Sequence, residues 1–372
     1  MAAFEDVLLR IAEERRYPHD AARLGARVHA LSEAYNTVGT GRAKDHGAAR
    51  LLFWLPRDIP KTTMAVRELS AAGLLRIPEG RPLRVLDHGA GLGASTWGLV
   101  RALEAAGEEG VVSVALVDDD EEALDLARDV VRKTSFDAVS LRVEPPRARE
   151  RYDVILLGQV LSELHRDLAP EERLAKHETF LRGLLQSSLA PDGSLVIVEP
   201  ALRERSRHLH ALRDRLAAQV FAPCLHENPC PMLLRENDWC HEDHPIDLPP
   251  ELVPVAKAAG LRWQGLTYAY LILRNDGRTL RQFVRGAAAP DSLRLVSEIR
   301  RTKGKSEALL CGQRSQGRDS VMRLDREASP ANAGWDKLHR GDLVAFTPAD
   351  AKRLGKDAHV ARLQVEPDEE TS

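Results

Sequence analysis

Leu83-Arg84-Val85-Leu86-Asp87-His88-Gly89-Ala90-Gly91-Leu92-Gly93 is the stretch that decides the fold of this chain. A short apolar run ends in an acid, a glycine-rich turn follows, and helical spacing resumes from Ser95 to Ala106. Strand, glycine turn and helix in that order open a βαβ unit. The pattern then repeats outward. Val111 to Val117 reads as a second strand, Glu121 to Lys133 as its helix, and Val139 to Val143 as a third strand. Tyr152 to Leu157 is a fourth and Gly193 to Val198 a fifth. Strands alternating with helices predict an α/β protein with a Rossmann-like, doubly wound and mostly parallel sheet covered on both faces. Leu261 to Leu266 and Tyr268 to Arg274 are expected to close the sheet as a pair. Too little chain separates them for a parallel crossover, so one must run antiparallel.

The rest of the chain divides around this core. Residues 1–80 form an N-terminal helical region, with Phe4, Val7, Leu8, Ile11 and later Met64, Val66, Leu69, Leu74 at helical spacing. Gly39-Thr40-Gly41 punctuates it, and Phe53 to Pro60 reads as an extended link. The sheet domain spans 81–275 and carries a Cys-rich insertion at 220–250. Pro223, Pro229, Pro231, Pro245, Pro249 and Pro250 predict a loop there. Residues 276–347 read as a basic, β-rich C-terminal domain, with strands expected at Leu293 to Ser297 and Glu307 to Cys311. Residues 348–372 are a tail, polar and disordered from Glu366 onward.

The first thirty residues are interrupted by Glu13-Glu14-Arg15-Arg16 and do not read as a signal peptide. No run approaches the roughly 18 apolar residues of a membrane span. A cytoplasmic protein without a membrane partner is the expectation. The net charge of −3 hides an asymmetry: Arg262 to Arg323 holds 13 Lys+Arg against 5 Asp+Glu. A basic segment on an otherwise acidic chain points to a polyanion partner, with a solvated basic surface as the plain alternative.

The glycine turn favours S-adenosylmethionine over NAD. Asp87 ends the strand where its carboxylate can face the ligand's ammonium group. Gly89, Gly91 and Gly93 give a spacing suited to a nucleoside without pyrophosphate. Asp118 ends the second strand, where a carboxylate can accept from ribose hydroxyls, although Asp119 and Asp120 adjoin it. Gln159 follows the fourth strand at the edge of the crevice. A structural strand-to-helix turn with surface acids is the competing reading. The stretch Gly158 to His165 lacks the Asn/Asp-Pro-Pro-aromatic motif of adenine or guanine amino-methyltransferases, and no cysteine stands there to attack a pyrimidine. Glu163 and His165 are candidate bases or plain polar helix-face residues. No DNA partner is expected, and no catalytic residue is assigned.

Four cysteines occur in 372 residues, and three of them fall between Cys224 and Cys240. Four soft ligands suit a tetrahedral zinc site or an iron–sulfur cluster. Five residues separate Cys224 from Cys230, nine separate Cys230 from Cys240, and seventy lie between Cys240 and Cys311. That spacing matches common zinc modules poorly, yet His226, His241 and His244 stand near enough in sequence to replace a thiolate. Spacing alone does not choose.

Taken together, the glycine turn, Val160-Leu161-Ser162-Glu163-Leu164, Val198-Glu199-Pro200 and Cys224-Leu225-His226-Glu227-Asn228-Pro229-Cys230-Pro231-Met232 with Trp239-Cys240-His241 resemble a known family. The chain is similar to the methyltransferase-like proteins of the mitochondrial small ribosomal subunit and their bacterial relatives, from about Leu31 to Val344. Arg301-Thr302-Lys303-Gly304-Lys305 followed by Cys311 continues the pattern. The resemblance implies a class I methyltransferase fold carrying a [4Fe–4S] cluster on Cys224, Cys230, Cys240 and Cys311, with Zn2+ as the alternative. It implies a partner, the small ribosomal subunit and its rRNA, met through the basic segment 262–323. Ala201 after Glu199-Pro200, and His88 and Ala90 in the glycine turn, depart from the family pattern and weaken any claim of activity. A ligand at Cys311 would tie the C-terminal domain to the insertion and bring Arg294 to Lys305 beside the cofactor crevice. Two other functions compete: a catalytically inactive assembly factor sensitive to iron or redox state, and a small-molecule methyltransferase.

Overall fold

A computed structural model describes residues 4–36, 46–134, 138–286, 291–312 and 319–367. Gly39-Thr40-Gly41 and the end of the expected tail lie outside the described residues. The chain forms two compact units. The first comprises Met1–Ser70, Leu75–Glu199 and His244–Leu266, and the second Ala71–Leu74, Pro200–Asp243 and Thr267–Ser372.

The first unit is built on five strands: β1 (Leu83–His88), β2 (Gly110–Val117), β3 (Val139–Val143), β4 (Tyr152–Gly158) and β5 (Leu189–Glu199). Every pairing among them is parallel, and their order is β3-β2-β1-β4-β5. Val85, Val112, Val114, Ile155, Leu195 and Ile197 are buried, as strands covered on both faces require. The order reverses between β1 and β4, so the chain leaves the sheet in opposite directions there and opens a crevice at the carboxyl ends. This is a class I methyltransferase fold. Asp87, Asp118 and Gln159 stand at three adjacent carboxyl ends of the sheet, as the sequence predicts.

The N-terminal helices belong to this same unit. Phe4 lies with its ring 4.9 Å from that of Trp97, and Arg15 pairs with Asp129 on the helix after β2. The expected extended link is helical instead: a π-turn at Arg50–Trp54 runs into a helix at Leu55–Ala65. Phe53, Leu55 and Ile59 are buried along it. Pro56 occupies its first turn, where a missing N–H costs little, so only Pro60 strains the interior.

In the second unit the expected closing pair is also revised. One strand, β8 (Gln264–Arg274), takes up the second half of the first predicted segment and all of the second, and β6 (Val220–Ala222) pairs antiparallel with it. The Cys-rich insertion is therefore not loop throughout. It starts in β6 and runs into β7 (Glu242–Asp247), with the cysteines in irregular chain between them. Prolines marked the loop correctly, but burial of Val220 and Phe221 fixes the strand.

The unit's larger sheet contains β9 (Val284–Arg285), β10 (Leu293–Leu295), β11 (Arg300–Thr302), β12 (Lys305–Gly312), β13 (Asp319–Leu324), β14 (Leu343–Thr347) and β15 (His359–Val365). Their order is β11-β12-β10-β14-β15-β9, with β13 on β12. The core holds Leu295, Leu310, Val321, Trp335, Val344 and Phe346. Trp335 donates its indole N–H to Ser306 Oγ at 2.8 Å. The expected tail from 348 contributes β15, which pairs with both β14 and β9. Its polar, alternating surface hid a strand with one face on the core, since Val360 packs there.

Candidate functional site

The crevice of the first unit is shaped by the turn after β1. Gly89, Gly91 and Gly93 have φ of 72°, 51° and 79°, the left-handed region that side chains enter at a cost. A Cβ on Gly89 would stand 2.5 Å from Val160 Cγ2, so that glycine serves packing. A Cβ on Gly91 would meet nothing within 4 Å and would project into open space. Gly91 is thus the glycine past which a ligand can approach the backbone.

Asp87 is buried, and one of its oxygens accepts from Thr96 N–H at 3.2 Å and Thr96 Oγ1 at 2.7 Å. Its other oxygen, Oδ1, is buried without a partner. Burial pushes this carboxyl up to about 6, opposed by the Thr96 bonds and assisted by the charge of Asp118. A buried acceptor in that condition fits a cationic or N–H-bearing ligand group. Asp118 accepts from Gly91 N–H at 2.8 Å and Asp120 N–H at 2.9 Å, so it fixes the glycine turn. Gln159, at φ 63°, donates its amide to Asp58 at 2.7 Å, and Asp58 pairs with Lys61. The side-chain carbonyl of Gln159 is thereby set apart from Asp58 as an acceptor.

Glu199 accepts from Leu161 N–H at 2.8 Å and Ser162 N–H at 3.1 Å, and so anchors the turn after β4. Glu163 and His165 lie in that turn rather than on a helix face, and Glu163 is exposed. Thr96 and Asp58 are residues that the sequence reading missed. Asp58 meets a partner 101 residues away that no local pattern signals, whereas Thr96 meets Asp87 only nine residues away, within the glycine turn and its helix.

All four cysteines belong to the second unit. The clamp expected between two domains is therefore a closure within one unit. Cys224, Cys230, Cys240 and Cys311 line one cavity of about 50 Å³, together with His226 and Arg213. That is more than the roughly 10–15 Å³ a single water requires. Burial raises the thiol of Cys230 to about 12, reinforced by the charge of Cys224. Burial also raises Cys240, reinforced by Glu242 and the neighbouring cysteines, and burial with the neighbouring cysteines raises Cys311. These thiols need positive charge to ionise. Among the described residues, no group of three or more His, Cys, Asp or Glu stands ready to hold a metal ion. His226 has Nε2 3.2 Å from Cys311 Sγ, and His241 lines the cavity.

The helix Arg203–Arg215 holds this segment, a role the sequence reading did not assign. Arg207 donates to the carbonyls of Met232, Arg235 and Asp238 at 2.7–2.8 Å. His210 Nε2 accepts from Cys240 N–H at 2.9 Å, and burial depresses its basicity to about 3. Arg213 donates to the carbonyls of His226 and Asn228, and Asp214 accepts from Cys230 N–H at 2.9 and 3.0 Å. Residues 207, 210, 213 and 214 recur at helical spacing, which is the signal available beforehand.

The basic segment is less uniform than its charge count. Arg274, Arg294 and Arg323 are buried; Arg274 pairs with Asp276, Arg323 with Asp336, and Arg294 donates to Gly341 carbonyl. Arg300, Arg301 and Lys303 are exposed at the hairpin of β11 and β12, where Arg301 pairs with Asp336. Arg314 and Arg318 lie outside the described residues. Among the described residues no helix is long and apolar enough to cross a membrane.

Residues 53–334 match the family model described as "Mitochondrial small ribosomal subunit Rsm22". Among curated proteins no sequence matches. Among solved structures the chain is similar to PKMT2 of Rickettsia typhi, at 17% identity and TM-score 0.26, over 42% of this chain and 29% of that one. It is similar to the plantazolicin methyltransferase BpumL at 14% identity and TM-score 0.32, over 68% and 96% of the two chains. A SAM-dependent O-methyltransferase of Thermotoga maritima gives 14% identity and TM-score 0.29, over 57% and 64%.

Proposed function

The chain belongs to the Rsm22 family of the mitochondrial small ribosomal subunit, and from that premise we propose that it binds S-adenosylmethionine and acts on small-subunit rRNA in ribosome assembly or translation, with a structural [4Fe–4S] cluster. The observation that carries the reading is the gathering of all four cysteines on one cavity. A protein that used its cysteines for packing would scatter them. The thiols border one shared volume, the arrangement that a centre held by four cysteines needs. Four thiolates would leave the cluster no open position, so its role is to hold the segment 224–240 to β12.

In the crevice, the unpartnered oxygen of Asp87 and the open approach at Gly91 support a cofactor with a cationic amino-acid portion. Asp118 would orient the turn that carries the cofactor, and Gln159 would present an acceptor to it. S-adenosylmethionine supplies an electrophilic methyl group when bound. The exposed basic hairpin at Arg300, Arg301 and Lys303 would meet RNA phosphates. A cytoplasmic location was expected from the sequence, whereas the family's description is mitochondrial. The proposal is confined to what the two share, the small subunit.

A second reading, an assembly factor that binds the cofactor without turnover, is favoured by one observation. Glu163 and His165, the two candidate bases, lie in a turn rather than on a helix face, with Glu163 exposed. Anaerobically purified protein tests both. Iron and sulfide in equal amounts, a broad band near 400 nm and methyl transfer to small-subunit rRNA are expected for the enzyme. Cluster and subunit association without transfer would support the assembly factor. Zinc in place of iron would refute the cluster, and absence of any subunit association would sink the functional reading.

A further inference from the structure

A cavity lined by four cysteines, with Cys230 buried and Cys224, Cys240 and Cys311 half-buried, raises a charge problem that the ligands themselves do not solve. Four thiolates around a [4Fe–4S]2+ core leave a net dianion, and four around Zn2+ leave the same. Burying that charge without compensation is costly. Two guanidinium groups approach the cavity from different elements. Arg213 is buried on the helix Arg203–Arg215 and lines the cavity together with Cys224. Its donors reach the carbonyls of His226 and Asn228, so its direction is fixed. Arg340 donates at 3.0 Å to the carbonyl of His241, the residue after Cys240.

Acids offset part of this charge. Asp214 pairs with Arg213 at 2.8 Å while accepting from Cys230 N–H, and Glu242 is buried against the cavity near Cys240. Arg340 also faces Glu298 at 3.9 Å. What distinguishes Arg213 is that it is itself buried and lines the same cavity as the four cysteines.

We propose that Arg213, assisted by Arg340, is the counter-charge that allows four cysteine thiolates to hold a metal centre in this cavity, and that it positions Cys224 for ligation. The inference rests on the metal-centre reading above and extends it to residues outside the ligand set. A fork-shaped guanidinium does two things there. Its charge stabilises the thiolates, and its two carbonyl bonds hold the segment His226 to Asn228 between the first two cysteines.

The test uses the full chain, loaded anaerobically with iron and sulfide, as wild type, Arg213→Lys, Arg213→Met and Arg340→Met. Folding is checked by circular dichroism. The readouts are the half-time of iron release to a chelator and the reduction midpoint potential. Arg213→Met is expected to release iron roughly 10–100-fold faster, the usual cost of losing a partner outside the ligand set, and to have a more negative potential. Arg213→Lys keeps the charge, so its potential should stay near wild type while release accelerates. A purely structural role would not move the potential. Wild-type release and potential in Arg213→Met would overturn the proposal alone. Should Arg213→Met not fold, an unshifted potential in Arg340→Met together with unchanged release in Arg213→Lys would overturn it. A wild-type protein that takes up neither iron nor zinc would overturn the metal reading and this proposal together.

Discussion

At Asp87 the demands of binding and of stability oppose one another. The carboxyl is buried, with one oxygen bonded to Thr96 and the other unpartnered. Its pKa is raised from 3.8 to about 6 in the folded chain, chiefly by burial. A raised carboxyl pKa means that the folded state binds the proton more tightly than the unfolded state. Stability is therefore unpenalised below about pH 4, falls as pH rises toward about 6, and levels off above it. At about 1.4 kcal/mol per pKa unit the loss is on the order of 3 kcal/mol. Asp87→Asn cannot ionise, so its stability relative to wild type should rise between pH 4 and 6 and stay constant above. Urea denaturation across that range measures it, and parallel curves for the two proteins would refute the cause assigned here. The same variant should lose S-adenosylmethionine binding in calorimetry. A cationic ligand offsets the penalty only when the carboxylate is there to meet it.

The strand–turn–helix from Leu83 to Ala105 was the most legible element, because each of its constraints is local. An apolar run, an acid and three glycines determine one another within a dozen residues. The structure adds that the glycines are not equivalent. Gly89→Ala places a methyl 2.5 Å from Val160 Cγ2 on top of its left-handed backbone. It should cost the roughly 1–2 kcal/mol of that backbone and a further 1–3 kcal/mol of overpacking. Gly91→Ala bears only the backbone cost, yet its methyl stands where a ligand would approach. Thermal melting should therefore rank Gly89→Ala as the less stable, while cofactor affinity should fall in Gly91→Ala. The reverse ranking would refute the division of roles. The helix Arg203–Arg215 was illegible by contrast. Arg207, His210, Arg213 and Asp214 find partners 13 to 31 residues downstream in the cysteine segment. Charged residues on a helix look solvated until tertiary contacts are known. The prolines before the helix Leu55–Ala65 misled in the other direction, since burial of Phe53 and Ile59 outweighed the local turn signal.

For the molecule as a whole, the division into two units changes what the cysteines and the C-terminus can do. The cysteines lie within one unit, so the metal centre proposed above would be linked to that unit's stability. Binding free energy at a structural metal site becomes folding free energy where the site does not exist in the unfolded chain. With domain stabilities of only about 5–15 kcal/mol, chelation should lower protection in the segment 224–240 and in β12. The parallel strands β1 to β5 belong to the other unit and should keep theirs. Hydrogen exchange of chelated against loaded protein reads both at once, and equal loss of protection in β1 to β5 would contradict the assignment. Chain length makes a companion case. Ending the chain after Thr347 removes β15, its five-residue pairing with β14 and the core residues Leu354 and Ala358. Ending it after Pro367 removes none of these. The shorter protein should lose the cooperative transition of the second unit and, with it, the proposed metal binding, because β14 reaches β12, which carries Cys311, through β10 alone. The longer one should melt as the full chain does. A shorter protein that kept both metal and transition would show that the polar strand at 359–365 is dispensable, and that the sheet closes without it.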